Sequence, residues 1–135
     1  MKVSVRFYTR SGNTEKLADA IAKAIGVRAE NVSVPLENKV DVLFLGCSYY
    51  AFDVDENVKK FIKDNKDKIG KIICFGTSAM MKSVYKPMKK VAEEYGIDIA
   101  KEDFHCRGSF GPVHKGRPNA DDLNNAKVFA KRVLK

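Results

Sequence analysis

The chain has 135 residues, 44% hydrophobic and 31% charged, with a formal charge of +8. That length predicts one domain spanning residues 1–135, burying about two-thirds of the surface its unfolded chain exposes. The composition excludes disordered and collagenous chains, and no apolar run approaches the ~18 residues of a membrane span. Residues 1–6 lack the continuous apolar segment of a signal peptide, so the expected location is cytoplasmic.

Three cysteines, Cys47, Cys74 and Cys106, stand far apart without a Cys-x-x-Cys pair. They read as free thiols, and with only two histidines no metal site is expected. The positive charge favours anionic partners such as phosphate groups or acidic proteins. The lysines are spread along the helices beside acidic residues, and no basic run is interleaved with aromatics, so no nucleic-acid partner is expected.

Short apolar runs alternate with amphipathic stretches, the pattern of a parallel sheet covered by helices. The first strand reads Val3 to Tyr8, followed by the turn Thr9, Arg10, Ser11, Gly12, Asn13, Thr14. Leu17, Ile21, Ala24 and Ile25 then form a helical stripe, which Gly26 can end. A short second strand lies within 27–34. The run 41–47 is apolar enough for a strand buried on both faces. A helix start is expected at Asp53, with Glu56 completing a capping box, and Val54, Val58, Phe61 and Ile62 inward. Another buried strand spans 71–76. Its helix carries Val84, Met88, Val91, Ala92 and Tyr95 on one side, with Pro87 in the first turn. The last strand, of irregular shape, falls within 97–106. Pro118 and Asn119 open the final helix, with Leu123, Ala126, Ala130 and Val133 inward.

Five strands but four helices are visible, and the missing helix belongs between strands two and three. About six residues, 35–40, separate those strands and span roughly 20 Å extended, just enough for a crossing but not for a helix; alternatively the second strand stops near Ala29 and the crossover is longer. The first strand supports this reading, because Ser4 and Arg6 interrupt one of its faces. Both side chains are expected to be at least partly exposed, or covered by a second subunit in a homodimer.

The turn after strand one lies where open α/β sheets bind ligands. Its hydroxyls, its backbone N–H groups and the positive end of the next helix suit an anion, and Gly12 permits close backbone approach. It is neither a Walker loop nor a dinucleotide fingerprint.

This turn resembles the flavodoxin phosphate loop, in which residues around Gly-Asn-Thr hold the phosphate of FMN. The run 41–46 with Ser48, Tyr49, Tyr50, Ala51 and Phe52 is similar to the third strand and first flavin-flanking loop of that family. Phe75, Gly76, Thr77 and Ser78, with Ala79 and Met80, resemble the fourth strand and second flanking loop. The resemblance covers nearly the whole chain. It implies an α/β fold with a five-stranded parallel sheet in order 2-1-3-4-5 and helices on both faces. It also implies FMN held by Thr9, Arg10, Ser11, Gly12, Asn13 and Thr14 and by the two flanking loops. Two features differ from many flavodoxins: the chain is basic, and the second loop lacks an aromatic, the nearest being Tyr85.

Other residues have competing roles. One of Tyr49, Tyr50 and Phe52 is expected to stack on the flavin, against plain surface packing. Met80 and Met81 read equally as an adaptable wall or as core. Cys47 reads as a small core residue more readily than as a redox thiol. His105 and His114 have no partner at an informative spacing, so no catalytic side chain is assigned. The stretch 108–112 is either a loop closing over the flavin or an ordinary turn.

The leading functional reading is an FMN-dependent electron carrier working between redox proteins or small donors and acceptors, an acidic protein among them. The alternative on the same fold is an NAD(P)H-dependent flavin or quinone reductase, with Lys82, Lys86, His114, Lys115 or Arg117 attracting the nucleotide. A flavin-free basic interaction module is a third. A receiver domain is excluded, because the strand ends read Tyr8-Thr9-Arg10 and Cys47-Ser48-Tyr49 where acidic residues are required.

Overall fold

A computed structural model describes residues 1–10, 12–48, 53–78, 85–108 and 116–135. The elements run β1 (Val3–Tyr8), α1 (Asn13–Ile25), β2 (Ala29–Asn31), β3 (Val42–Ser48), α2 (Glu56–Asn65), a 3₁₀ turn (Lys66–Lys68), β4 (Lys71–Ser78), α3 (Tyr85–Glu94), β5 (Asp98–Ile99), β6 (Phe104–Arg107) and α4 (Ala120–Val133). The sheet order is β2-β1-β3-β4-β5, with β6 also pairing β4, and every pairing is parallel. The expected irregular last strand is thus two short strands that share β4 as neighbour. Its pairing reaches Arg107, one residue past the expected end.

Each helix follows the stripe its sequence carries. On one face of the sheet, Leu17 and Ile21 of α1 and Ala126, Phe129 and Ala130 of α4 cover Val5, Phe7, Phe44 and Phe75. On the other, Val58, Phe61 and Ile62 of α2 and Met88, Val91 and Ala92 of α3 cover Leu43, Leu45, Ile72 and Cys74. Pro87 sits in the first turn of α3, where its missing N–H costs no helical bond. Asn119 caps α4 with a reciprocal capping box to Asp122. Helix α2 departs from expectation: its cap is Asp55, not Asp53, and the Asp55 carboxylate accepts the Asn57 N–H at 2.8 Å. Asp53 accepts the Val54 N–H and pairs with Lys59 instead.

The link between β2 and β3 holds no helix. The second strand ends at Asn31, and residues 32–41 cross as an irregular strap of turns and bends. That strap corrects the expectation for Arg6, whose side chain is only 8% exposed although Ser4 is half-buried. Arg6 Nε donates to the Val34 carbonyl at 2.9 Å, and its two terminal nitrogens donate to Pro35 and Val5 carbonyls. Glu30, its register partner on β2, lies 3.3 Å away. Burial lowers the Arg6 pKa, while Glu30 and Glu37 act to retain the charge. The guanidinium therefore serves two carbonyls of an irregular segment that has no ladder of its own, Val34 and Pro35, and ties them to the Val5 carbonyl of β1. Leu36 adds an apolar anchor, its N–H held by Asn65 and its carbonyl by Lys68.

Arg6→Met should therefore destabilise the protein by about 2–4 kcal/mol, because it strands the strap carbonyls in the interior. Urea unfolding measures this, and an unchanged midpoint would show that the strap does not depend on Arg6.

Candidate functional site

The carboxyl ends of β1, β3, β4 and β6 lie level. Tyr8 pairs with Cys47, Cys47 with Gly76, and Gly76 with His105. The first loop of interest leaves β1 at Thr9. The Thr9 hydroxyl accepts the Gly12 N–H at 3.0 Å, folding the loop back on itself. Gly12 takes the left-handed conformation (φ 87°) as the residue before α1, and a Cβ there would meet no atom within 4 Å. Only glycine enters that region without penalty.

Glycine also leaves α1 without a side-chain cap, whereas Asp55 and Asn119 cap α2 and α4. The positive end of α1 therefore faces the sheet edge with no carboxylate of its own cap residue against it. Arg10 is 62% exposed and pairs with Asp55 at 3.3 Å. The bond it shares with Tyr8 raises its pKa, with Asp55 adding to the effect, and like any arginine it is cationic beside the loop.

Behind the loop the site is dry and polar. Asn13 is 5% exposed, Thr14 0% and Thr77 2%. The hydroxyls of Thr14 and Thr77 lie 3.0 Å apart, joining the first turn of α1 to the end of β4. At Gly108, which follows β6, an added Cβ would stand 2.9 Å from Asn13 Nδ2 and 3.1 Å from the Thr77 Cβ.

The fold therefore brings together Thr9, Arg10, Gly12, Asn13, Thr14, Gly76 and Thr77 of the residues singled out in the sequence. Ser48 and Ser78 end their strands at the same edge. Of the residues singled out in the sequence, Ser11, Tyr49, Tyr50, Ala51, Phe52, Ala79, Met80, Met81, Lys82, Val84, His114, Lys115 and the stretch 109–112 lie outside the described residues. Gly108 had been visible only as part of a glycine-containing turn; its role as a point of close approach needed the fold. Asp55 as partner of Arg10 carried no spacing signal, being 45 residues away.

Cys47 is fully buried at this edge, and burial pushes its thiol up to about 12. Cys106 is pushed up to about 12 as well, and Cys74 is raised further by burial. All three are protonated at neutral pH and behave as small core groups. His105 differs. Its Nε2 is buried with no hydrogen-bond partner among the described residues. Burial lowers its pKa, the nearby Arg107 charge adds to this, and Asp103 opposes it.

Among the described residues no helix is long and apolar enough to cross a membrane, and no cluster of ligands suits a metal ion. No profile of a known protein family matches the chain. Its fold is flavodoxin-like. An archaeal flavodoxin superposes over the full length of both chains with a TM-score of 0.75 at 20% identity. Flavodoxin 1 of Bacillus cereus gives 0.69 at 21% identity, over 99% of this chain and 97% of its own. Rubredoxin oxygen:oxidoreductase of Desulfovibrio gigas gives 0.72 at 16%, with 98% of this chain matching 36% of that larger one. In sequence, the chain belongs to the family of Uncharacterized protein MJ0298 of Methanocaldococcus jannaschii, which is 30% identical over 91% of both chains.

The His105 geometry makes a pH prediction. Its native pKa lies below that of free imidazole, so the unfolded chain takes up the proton first as pH falls through about 6.5. The stability this contributes is complete above that pH and is lost on acidification toward the lower native value. Urea midpoints at neutral and mildly acidic pH should diverge more in the wild type than in His105→Gln. Equal pH dependence in the two proteins would exclude the buried imidazole as its source.

Proposed function

We propose that this protein binds FMN at the level ends of β1, β3 and β4 and carries electrons between redox partners. The single observation that carries the reading is the Thr9–Thr14 turn. A left-handed glycine opens a helix with no side-chain cap, a cationic arginine flanks it, and the turn stands at the carboxyl edge of a flavodoxin-like sheet. The donor chemistry fits a phosphate monoester: a helix start, hydroxyls and a guanidinium, with no carboxylate in the turn itself.

In this reading the residues of the turn, 9–14, hold the phosphate, and residues 48–52, Gly76 and 78–80 flank the ring, while Thr77, almost wholly buried at the end of β4, does not touch it. FMN, when bound, supplies one- and two-electron chemistry, and the chain supplies binding, orientation and charge. No side chain is required as acid, base or nucleophile. The three protonated thiols are silent in the transfer.

The partner is an acidic redox protein, and α3 supports this choice. Helices α1, α2 and α4 carry acids in their first turns and bases in their last, in accord with the helix dipole. Helix α3 is reversed: Lys86 lies in its first turn, Lys89 and Lys90 at its middle, and Glu93 and Glu94 end it. Lys89 pairs with Glu93, while Lys86 and Lys90 form no ion pair among the described residues and are exposed. Lys90 acts on Asp53, just before α2, and adds to the charges that lower its pKa. Charge set against the dipole disfavours the helix and suits an anionic surface.

Two measurements test the reading. Flavin-free protein titrated with FMN should bind it, and Gly12→Val, which places a branched side chain at a positive φ, should weaken binding by at least about tenfold. Equal affinity in that variant would remove the phosphate from this turn. Electron exchange of the FMN-loaded protein with an acidic ferredoxin should slow with added salt and slow further in Lys86→Glu/Lys90→Glu. Turnover of NAD(P)H by the protein alone would instead favour a reductase.

A further inference from the structure

Resting on that reading, we propose that Thr77 is a positioning residue for phosphate recognition, acting through Thr14, with Gly108 acting on Asn13 in the same way. Three elements distant in sequence meet behind the phosphate turn: the start of α1, the end of β4 and the exit of β6. The contact between the first two is the hydroxyl pair of Thr14 and Thr77, at 3.0 Å and 63 residues apart. Neither side chain reaches water to any useful extent, at 0% and 2% exposure.

Packing alone would not select two hydroxyls here. Valine has the shape of threonine and avoids the desolvation of a buried O–H. What a hydroxyl pair adds is direction: one group donates, the other accepts, and both side-chain rotations become fixed. Thr14 lies in the first turn of α1, so the hydroxyl pair anchors the turn whose backbone N–H groups open the helix. Thr77 precedes the last residue of β4, the strand that leads into residues 79–84. The pair therefore links the phosphate end of the site to the strand that carries the second flanking loop.

Gly108 closes the third side. Its backbone approaches so near that a Cβ would fall 2.9 Å from the Asn13 amide nitrogen and 3.1 Å from the Thr77 Cβ. Asn13 is itself 95% buried by the same packing. A methyl group at residue 108 has to displace one of the two residues that frame the turn. Thr77 and Gly108 thus set the geometry of the turn from behind, and that geometry matters only to a ligand that carries a phosphate.

The test compares FMN with riboflavin, which lacks the phosphate, in the wild type, Thr77→Val, Thr77→Ser and Gly108→Ala. Flavin fluorescence quenching gives both affinities, and amide hydrogen exchange of residues 12–16 is read in the flavin-free protein. Thr77→Val should weaken FMN at least about tenfold, leave riboflavin within about twofold and speed exchange in the first turn of α1. Thr77→Ser, which keeps the hydroxyl, should restore both readouts, and Gly108→Ala should mimic Thr77→Val toward FMN. Equal losses for FMN and riboflavin, or unchanged exchange in Thr77→Val, would overturn the proposal. A wild type that binds neither flavin would refute the FMN reading. The exchange measurement would then decide the positioning role alone, with unchanged exchange refuting it as well.

Discussion

The site depends on register. Tyr8, Cys47, Gly76 and His105 stand side by side on four parallel strands, so the loops that follow emerge from one edge at one height. A slip of one residue would exchange the two faces of a strand and separate the loops. The pairing is held in the interior by shape as much as by hydrogen bonds. Gly46 and Phe75 are register partners, and a Cβ on Gly46 would fall 2.2 Å from the Phe75 ring. The ring occupies the space a side chain on β3 would need. That contact lies one residue before Cys47 and Gly76, so the packing of the core fixes the height at which the flanking loops begin.

The same edge explains why chemistry and stability separate cleanly along this chain. Below it, the two faces are filled mainly by aliphatic and aromatic groups, with the cysteines among them, and the buried polar groups there, Arg6 and Asn65, serve the strap. At it, buried groups turn polar: Asn13, Thr14 and Thr77, each nearly inaccessible. Buried polar groups are retained where direction matters, because an apolar replacement usually packs as well. The exposed part of the edge carries the Arg10 cation, paired with Asp55. The fold thus places a fixed polar base beneath a cationic rim.

Much of this was legible in the residues. The unbroken apolar runs around Phe44 and Ile73 marked strands covered on both faces, and the stripe of Leu17 and Ile21 marked the helix that covers them. The turn was legible because hydroxyls, a glycine and a helix start coincide at a strand end. The short link after β2 was legible from length alone. Arg6 was not: a charged residue on an inner strand suggested exposure, whereas the strap brings carbonyls to it, and no local pattern records a partner 28 residues away. The α2 cap slipped from Asp53 to Asp55 because both acids precede a helical stripe and only the backbone selects between them. The Thr14–Thr77 pair and the approach of Gly108 are contacts of tertiary origin. Single residues of ordinary type announce neither.

On the proposed function, one edge of one sheet is the functional surface. Backbone amide chemical shifts of the flavin-free protein, followed as FMN is added, test this most directly. The account predicts shifts concentrated at Thr9, Gly12, Asn13, Thr14, Gly76, Thr77 and Gly108, with the strap around Arg6 and Val34 unmoved. Shifts confined to the strap or the opposite edge of the sheet, or none at saturating FMN, would contradict it.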